Sequence, residues 1–440
     1  MRRKARRGGG RQMEVTVRAL GARGDGLAEC EGRPLYLPQT LAGDRVLAQV
    51  TGKRGSGFKG KVVELLAEGP GRVEAPCPHF GPCGGCSVQH LKTSLYEEWK
   101  TNLLKAALAR NGLEGVAISP LAVVPAQSRR RAVLAAHKRG STLSLGFHQR
   151  ESHEVVDLSA CQVLTPGLMA LLAPLRPVLE AVLETAPPCG QSADVYLLES
   201  DGGLDLLLTS RAPLTLAGRE ALAAFAEARD VARISWACPG EEPEPVVLRR
   251  EPKLAFSGID VVPAPGGFLQ PTLAGQTLLI KEALKGLSQR ASRALDLFSG
   301  CGTFTFALAR AVHGLQVHAV EGNEPALAAL WQAARRADLA GRVTVERRDL
   351  AREPLLAHEL EDKDVVLFDP PRVGAKEQAA ELAKSPVPHV IAVSCNPATF
   401  ARDAKVLVDG GYHLARVLPV DQFPWTGHLE MVGHFRRGPV

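Results

Sequence analysis

Short alternating runs of apolar and polar residues open the chain. They give way to helical spacing, and then to fully apolar strands. Met13 to Leu20, Arg45 to Val50 and Lys61 to Leu66 alternate with the period of half-buried strands, with Gly and Pro between them. Gly21 to Gly26 reads as a turn and Arg33 to Pro38 as a short edge strand. About five such strands over residues 12–70 predict a small OB-like barrel. Residues 92–111 place Leu103, Leu104, Ala107 and Leu108 at helical spacing, ending near Asn111 and Gly112. Strands are then expected at Arg131 to His137, Leu143 to His148, Val155 and Val156, Tyr196 to Glu199, and Leu204 to Thr209, interrupted by a helix near Leu168 to Leu183. From about residue 255 strand and helix alternate, which implies a parallel sheet. The expected fold class is α/β. A basic flexible tail (1–11) precedes the barrel (12–70), a central α+β domain (71–254) and a C-terminal Rossmann-like domain (255–440).

Candidate chemistry gathers at the ends of the C-terminal strands, where open α/β sheets bind ligands. Ala294 to Leu297 runs into Phe298-Ser299-Gly300-Cys301-Gly302-Thr303, a Gly-rich turn before a helix from Thr305 to Val312. Glycines there let backbone amides approach a ligand at a helix N-terminus. Taken alone, such a turn serves a dinucleotide or S-adenosylmethionine equally. The next strand, Val317 to Val320, ends at Glu321, whose carboxylate suits two ribose hydroxyls. A third ends near Asp349, and a fourth in Asp369-Pro370-Pro371-Arg372. A fifth, Val390 to Val393, ends in Ser394-Cys395-Asn396-Pro397. Acids after successive strands, with Asp-Pro-Pro, favour a methyltransferase over a dehydrogenase. Cys395 is a thiol on a stiff turn at a strand end, the placement a nucleophile needs. Cys301 is the rival thiol, but it sits in the cofactor loop, where packing is its expected role.

The other cysteines divide by context. Cys77, Cys83 and Cys86 lie within ten residues among Gly and Pro, a composition that lets sulfurs converge on a metal. With Cys161 as fourth ligand, zinc or an iron–sulfur cluster is chemically open. The spacing is not CxxxCxxC, so radical use of S-adenosylmethionine is not indicated. Nine cysteines is an odd count, and several, Cys189 and Cys238 among them, are isolated. That argues against a secreted disulfide framework and for a reducing cytoplasm. The net charge of +6 and pI near 8.9 favour a polyanionic partner. Lys53, Arg54, Lys59 and Lys61, with Phe58 and two glycines, form a basic loop suited to phosphate contact. Ser128 to Arg131 and His148 to Arg150 are further basic segments. No run of roughly 18 apolar residues marks a membrane span.

On these motifs the sequence resembles the RNA 5-methyluridine methyltransferase family, bacterial enzymes that methylate C5 of uridine in ribosomal or transfer RNA. Residues 12–70 resemble a TRAM domain. Phe268-Leu269-Gln270 matches the family's FxQ segment, Asp296 to Phe304 its glycine loop, and Glu321 its ribose acid. Asp369 to Arg372 matches DPPR, Ser394 to Pro397 matches SCNP, and His428-Leu429-Glu430 matches HxE. The resemblance implies a class I methyltransferase domain. It implies S-adenosylmethionine held by Gln270, Phe298, Gly300, Thr303, Glu321, Asp349 and Asp369, and a [4Fe–4S] cluster on Cys77, Cys83, Cys86 and Cys161. It also implies Cys395 adding to uracil C6, with Glu430 as base. RNA is the expected partner, ribosomal rather than transfer RNA, and the chain is expected to act as a monomer. Asp369 is expected to hold the uracil edge or the cysteine turn, Gln270 to bond the base or the cofactor, and Phe268 to stack. Pro271 and Thr272 after the FxQ segment, Thr303 and Asp349 depart from the family's common pattern. Two other classes stand beside this reading. One is an N-methyltransferase using the Asp-Pro-Pro turn, which has no need of Cys395. The other is a non-catalytic RNA-binding or assembly factor, against which the intact strand-end set argues.

Overall fold

The computed structural model describes residues 11–184 and 191–438; the basic tail up to residue 10 and Cys189 lie outside the described residues. The chain forms two compact units, residues up to Leu103 together with Trp425–His428, and Leu104–Pro424 together with Leu429 onward.

In the first unit, β1 (Gln12–Thr16), β2 (Ala19–Leu20), β3 (Gly26–Cys30), β4 (Arg33–Leu37), β5 (Arg45–Arg54) and β6 (Gly57–Ala67) form one sheet in the order β1-β5-β6-β4-β3-β2. Alternating side chains close a small core of Val15, Val17, Leu35, Leu37, Val46 and Ala48. The segment expected to be an edge strand is interior, because β4 pairs with both β3 and β6. Pro34 is tolerated there because the pairing with β6 covers only Leu35 and Tyr36. The expected basic loop is the β5–β6 hairpin. Arg54, however, is engaged within the fold, donating to Asp25 at 2.6 Å and stacking 4.2 Å over the Tyr36 ring.

The division between the units falls within α1 (Thr93–Ala109), the amphipathic helix read from the sequence. In the second unit a short strand, β7 (Ala122–Val123), precedes a sheet of β8 (Arg131–Arg139), β9 (Thr142–Gly146), β10 (Ser192–Ser200), β11 (Gly203–Ser210), β12 (Val231–Ala237) and β13 (Glu244–Leu248). Its order is β13-β12-β11-β10-β8-β9. Two helices pack on it, α2 (Pro166–Glu184) and α3 (Leu216–Ala228). By length and apolarity α2 would suffice to cross a membrane, but Leu168, Leu171, Leu175 and Leu179 are buried in this core. It is a core helix. A hairpin of β14 (Leu254–Phe256) and β15 (Ile259–Val261) follows.

The rest is strand and helix in alternation: α4 (Leu273–Ala283), β16 (Arg293–Leu297), α5 (Thr303–Ala311), β17 (Gln316–Glu321), α6 (Glu324–Arg336), β18 (Val343–Arg347), β19 (Val365–Phe368), α7 (Lys376–Lys384), β20 (His389–Ser394), α8 (Pro397–Asp409), β21 (Tyr412–Asp421) and β22 (Glu430–Arg437). The sheet order is β18-β17-β16-β19-β20-β22-β21-β7. Strands β16 to β20 are parallel, and β22 inserts antiparallel between β20 and β21. This is a Rossmann-like sheet, the architecture expected of the C-terminal domain. The chain order reverses between β16 and β19, so a crevice is expected at their carboxyl ends. Every residue of β19 and β20 is buried, as continuous apolar strands covered on both faces should be.

Gly433 on β22 sets how closely α8 packs. A Cβ there would lie 2.7 Å from the ring of buried Phe400. Gly433→Ala should therefore destabilise the chain by about 1–3 kcal/mol through overpacking. Urea unfolding would check this, and an unchanged midpoint would contradict it.

Candidate active site

The glycine loop is built by backbone conformations that most residues avoid. Phe298 (φ 59°), Gly300 (φ 54°) and Gly302 (φ 101°) are all left-handed. For an aromatic residue such a φ is rare and marks a constrained turn. At Gly302 the reason is contact, since a Cβ would meet the Phe306 ring at 2.6 Å. At Gly300 a Cβ would meet nothing within 4 Å, so the space beside it is open for a ligand. Glu321, at the end of the neighbouring strand β17, binds the loop. Its two carboxylate oxygens accept from Gly300 N–H at 2.9 Å and Asn323 N–H at 2.7 Å. Thr303 is the first residue of α5. Asp349 is exposed beyond β18, accepts from Ala351 N–H at 3.1 Å, and brings its backbone beside Gly322. Under the loop, Asp296 accepts from the Thr305 hydroxyl at 2.5 Å. Its other oxygen and the Ser299 hydroxyl are buried without partners among the described residues. Burial, then the nearby charges of Asp369 and Glu321, push the Asp296 carboxyl up to about 7. Open space, two orphaned polar atoms and a ribose-type acid fit a cationic nucleoside cofactor.

A second group forms at the ends of β19, β20 and β22. In β20 and β22, Ser394 pairs with Met431, so one further step sets Cys395 beside Glu430. Asn396 caps α8, its side-chain oxygen accepting from Ala398 N–H at 3.1 Å. Its amide N–H donates to the Arg372 carbonyl at 3.1 Å, and Thr399 donates to the same carbonyl at 3.3 Å. These bonds clamp the Asp-Pro-Pro-Arg turn to the cysteine turn. Gln270 donates to Asp369 at 3.2 Å and accepts from Gln422 at 2.7 Å. Gln270 is itself held by its neighbours, with Arg130 N–H donating to the Pro271 carbonyl at 2.9 Å and Thr272 capping α4.

The electrostatics here are unusual. Asp369 and Glu430 are both raised, chiefly by burial. Asp369 adds to the shift of Glu430, while the Gln270 and Gln422 amides work in the opposite direction. One oxygen of Glu430 is buried without a partner among the described residues. Cys395 is half-buried. Its thiol is pushed up to about 12 by burial, then by Glu430 and Asp369, with Arg372 a weak opposing influence. The free site therefore stores a thiol, not a thiolate, although Cys395 sits at a helix N-terminus. Cys301 is buried in the core and also raised to about 12 by burial, in keeping with a packing role.

The structure thus brings Gly300, Thr303, Phe298 and Glu321 into one group, and Gln270, Asp369, Cys395 and Glu430 into another. Asp369 acts electrostatically on both. Gln422 was missed by sequence reasoning, because a lone glutamine after a strand carries no motif. Phe268 is 69 % exposed with the Arg131 guanidinium 5.1 Å over its ring. Arg129 lies likewise over Phe423. In the cysteine segment, Cys77, Cys83 and Cys86 are half-buried, and Cys83 Sγ accepts from Gly85 N–H at 3.4 Å. Cys161 Sγ accepts from Val163 N–H, also at 3.4 Å. Among the described residues no three His, Cys, Asp or Glu side chains form a group that could hold a metal ion.

The sequence profile of the tRNA (uracil-5-)-methyltransferase family matches residues 263–437. An uncharacterized RNA methyltransferase of Caulobacter vibrioides is 41 % identical, over 96 % of this chain and 100 % of its own length. The 23S rRNA (uracil(1939)-C(5))-methyltransferase RlmD of Pectobacterium atrosepticum is 35 % identical, over 97 % of this chain and 94 % of its own. Among solved structures, the Pyrococcus abyssi tRNA (uracil-54, C5)-methyltransferase in complex with S-adenosyl-L-homocysteine superposes with a TM-score of 0.74 at 21 % identity, covering 96 % of this chain and 100 % of that one.

Cys395 should alkylate slowly in the free protein at neutral pH, because a raised thiol pKa leaves little thiolate. At about pH 9, where both neighbouring carboxyls are largely charged, Glu430→Gln should speed alkylation several-fold by removing one repelling charge. Peptide mass spectrometry after timed iodoacetamide treatment reads both rates. Rapid wild-type labelling at neutral pH would contradict this picture.

Proposed function

This chain belongs to the RNA 5-methyluridine methyltransferase family, and from that premise we propose that it methylates C5 of a uridine in 23S ribosomal RNA. The observation that carries the reading is the convergence of a strand-end thiol, Cys395, with the buried carboxyl of Glu430 and the half-buried one of Asp369, beside an S-adenosylmethionine-type loop. Uracil C5 is too weak a nucleophile to take a methyl group unaided. As the Cys395 sulfur adds at C6 its thiol proton passes to solvent, to be regained when the sulfur is eliminated; C5 becomes enolate-like and negative charge moves toward O4. Bound S-adenosylmethionine supplies the electrophilic methyl. Glu321 and the amides of the Gly300 loop would hold its nucleoside part, with Phe298, Thr303 and Asp349 around it. Asp369 and Gln270 would hold the uracil edge. Glu430, a buried carboxyl with raised basicity, takes the C5 proton, and elimination of Cys395 releases 5-methyluridine. A uridine buried in folded RNA must first be turned out of its stack.

The same proposal includes a [4Fe–4S] cluster on Cys77, Cys83, Cys86 and Cys161. It is supported by the Gly- and Pro-rich wrapping of the first three and by amide N–H bonds to Cys83 and Cys161 sulfurs. Its role would be structural, and no step of methyl transfer is routed through it. We propose further that the chain acts as a cytoplasmic monomer, with its N-terminal β unit on RNA.

Cys395→Ala should abolish methyl transfer and any covalent complex with 5-fluorouridine RNA. Full activity in that variant would favour an N-methyltransferase instead. Glu430→Gln should accumulate a methylated covalent adduct, visible as a shifted band on denaturing gels, whereas normal turnover would remove Glu430 as the base. Mass mapping of 5-methyluridine in RNA from cells lacking the protein should show its loss from 23S rRNA; loss from transfer RNA would redirect the substrate. Anaerobically purified protein should show the broad visible absorbance of an iron–sulfur cluster, and colourless, zinc-loaded protein would overturn that part.

A further inference from the structure

Gln422 lies two residues after the β21 pairing with Glu430, and its side chain is fully buried. Its amide N–H donates to the Gln270 oxygen at 2.7 Å, and Gln270 in turn donates to Asp369 at 3.2 Å. The row has a direction. A glutamine amide has one acceptor end and one donor end. With its oxygen occupied by Gln422, Gln270 must turn its nitrogen toward Asp369. What Gln270 then has left for a bound base is an N–H donor. What it gives Asp369 is a hydrogen bond that favours the ionised carboxylate.

The position of Gln422 is built rather than incidental. Gly275, in α4, lies against it. A Cβ at 275 would fall 2.3 Å from the Gln422 oxygen and 2.9 Å from its Cβ. That oxygen is buried with no hydrogen-bond partner among the described residues. An orphaned acceptor of this kind costs roughly 1–3 kcal/mol. It follows directly from turning the amide so that its nitrogen faces Gln270 and Glu430.

We propose that Gln422 is the specificity-positioning residue of this site, fixing the Gln270 amide so that the pocket accepts uracil and rejects cytosine. Uracil presents an acceptor at O4 and a donor at N3, and cytosine presents the reverse, a donor at N4 and an acceptor at N3. A donating Gln270 complements uracil O4, and the carboxylate form of Asp369, which the Gln270 bond favours against the pull of burial, complements N3–H. If Gln270 were free to turn over, its oxygen would face outward and Asp369 would lose its donor and take up a proton. That pair complements cytosine. One amide flip therefore exchanges one recognition pattern for the other, and Gln422 is the group that opposes the flip.

The inference rests on the uracil-C5 reading above, and its test separates the two. Unmodified 23S rRNA transcribed in vitro is methylated by the wild-type protein and the target uridine located by mass mapping. A second transcript carries cytidine at that position. Wild type should methylate the cytidine transcript about a thousandfold more slowly or worse, since buried polar groups reject a mismatched edge strongly. Gln422→Met, which has no amide to donate, should lower kcat on uridine about tenfold at nearly unchanged KM and narrow the uridine-to-cytidine ratio at least about tenfold. Gly275→Ala keeps Gln422 but crowds its oxygen, and should narrow the ratio in the same direction. Calorimetric S-adenosylmethionine affinity unchanged within about twofold would show that both variants are folded. A uridine-to-cytidine ratio equal to wild type in the two variants, with both rates falling together, would overturn the assignment and leave Gln422 as packing. A wild-type protein that methylates no uridine would instead overturn the proposed function itself.

Discussion

Three carboxyls, Asp296, Asp369 and Glu430, lie desolvated at neighbouring strand ends, the first and last buried and Asp369 half-buried, and none forms an ion pair among the described residues. Burying an unpaired carboxylate is costly, so such groups drift toward neutrality or wait for a cation. Their hydrogen bonds are few and come from neutral donors, Thr305 for Asp296 and Gln270 for Asp369. The site is therefore short of positive charge by construction. A sulfonium cofactor beside the Gly300 loop would supply that charge from outside the protein. The same shortage explains why Cys395 is held as a thiol despite its place at the N-terminus of α8. Desolvation and two carboxyl neighbours outweigh the helix dipole and Arg372.

Holding these groups in register is the work of the C-terminal antiparallel pair. A parallel sheet alone would place Asp369 and Cys395 on adjacent strands, but it would supply no group facing Cys395 on the other side. Strand β22 returns between β20 and β21, so its first residue, Glu430, meets the last turn of β20. The clamp from Asn396 and Thr399 to the Arg372 carbonyl then ties the two functional turns into one rigid piece. Gly433 lets α8 lie close enough to the sheet for this to happen.

Much of this was legible in the sequence because strand-end chemistry is punctuated there. Gly300, Asp369 and Cys395 each have a Gly or Pro within the next two residues, Gly302, Pro370 and Pro397, which stops the strand from continuing. Glu321 follows a clear apolar run. The N-terminal strands, α1, α2 and β16 to β20 were visible for the same reason of periodicity. The illegible features depend on contacts distant in sequence. The left-handed Phe298, the inversion of the Cys395 acidity, and the pairing that brings residue 430 to residue 395 are of this kind. The interior position of β4 was missed because Pro34 signals an edge. That signal is local, whereas a two-residue parallel pairing just past the proline is not.

Gln422 shows where such reading stops for a physical reason. An amide side chain has no charge and no motif, and its two ends differ only in which can donate. Its meaning lies entirely in orientation, set here by Gly275 on one side and by Gln270 and Glu430 on the other. The orphaned Gln422 oxygen is then informative. If burial of polar groups were the only constraint, that oxygen would have been given a donor or the residue replaced by an apolar one of similar volume. Retaining an unsatisfied acceptor inside a fully buried side chain makes sense only if the other end of the amide is needed where it is. The other end faces Gln270 and Glu430, the two groups on which recognition of the base and removal of its proton would depend.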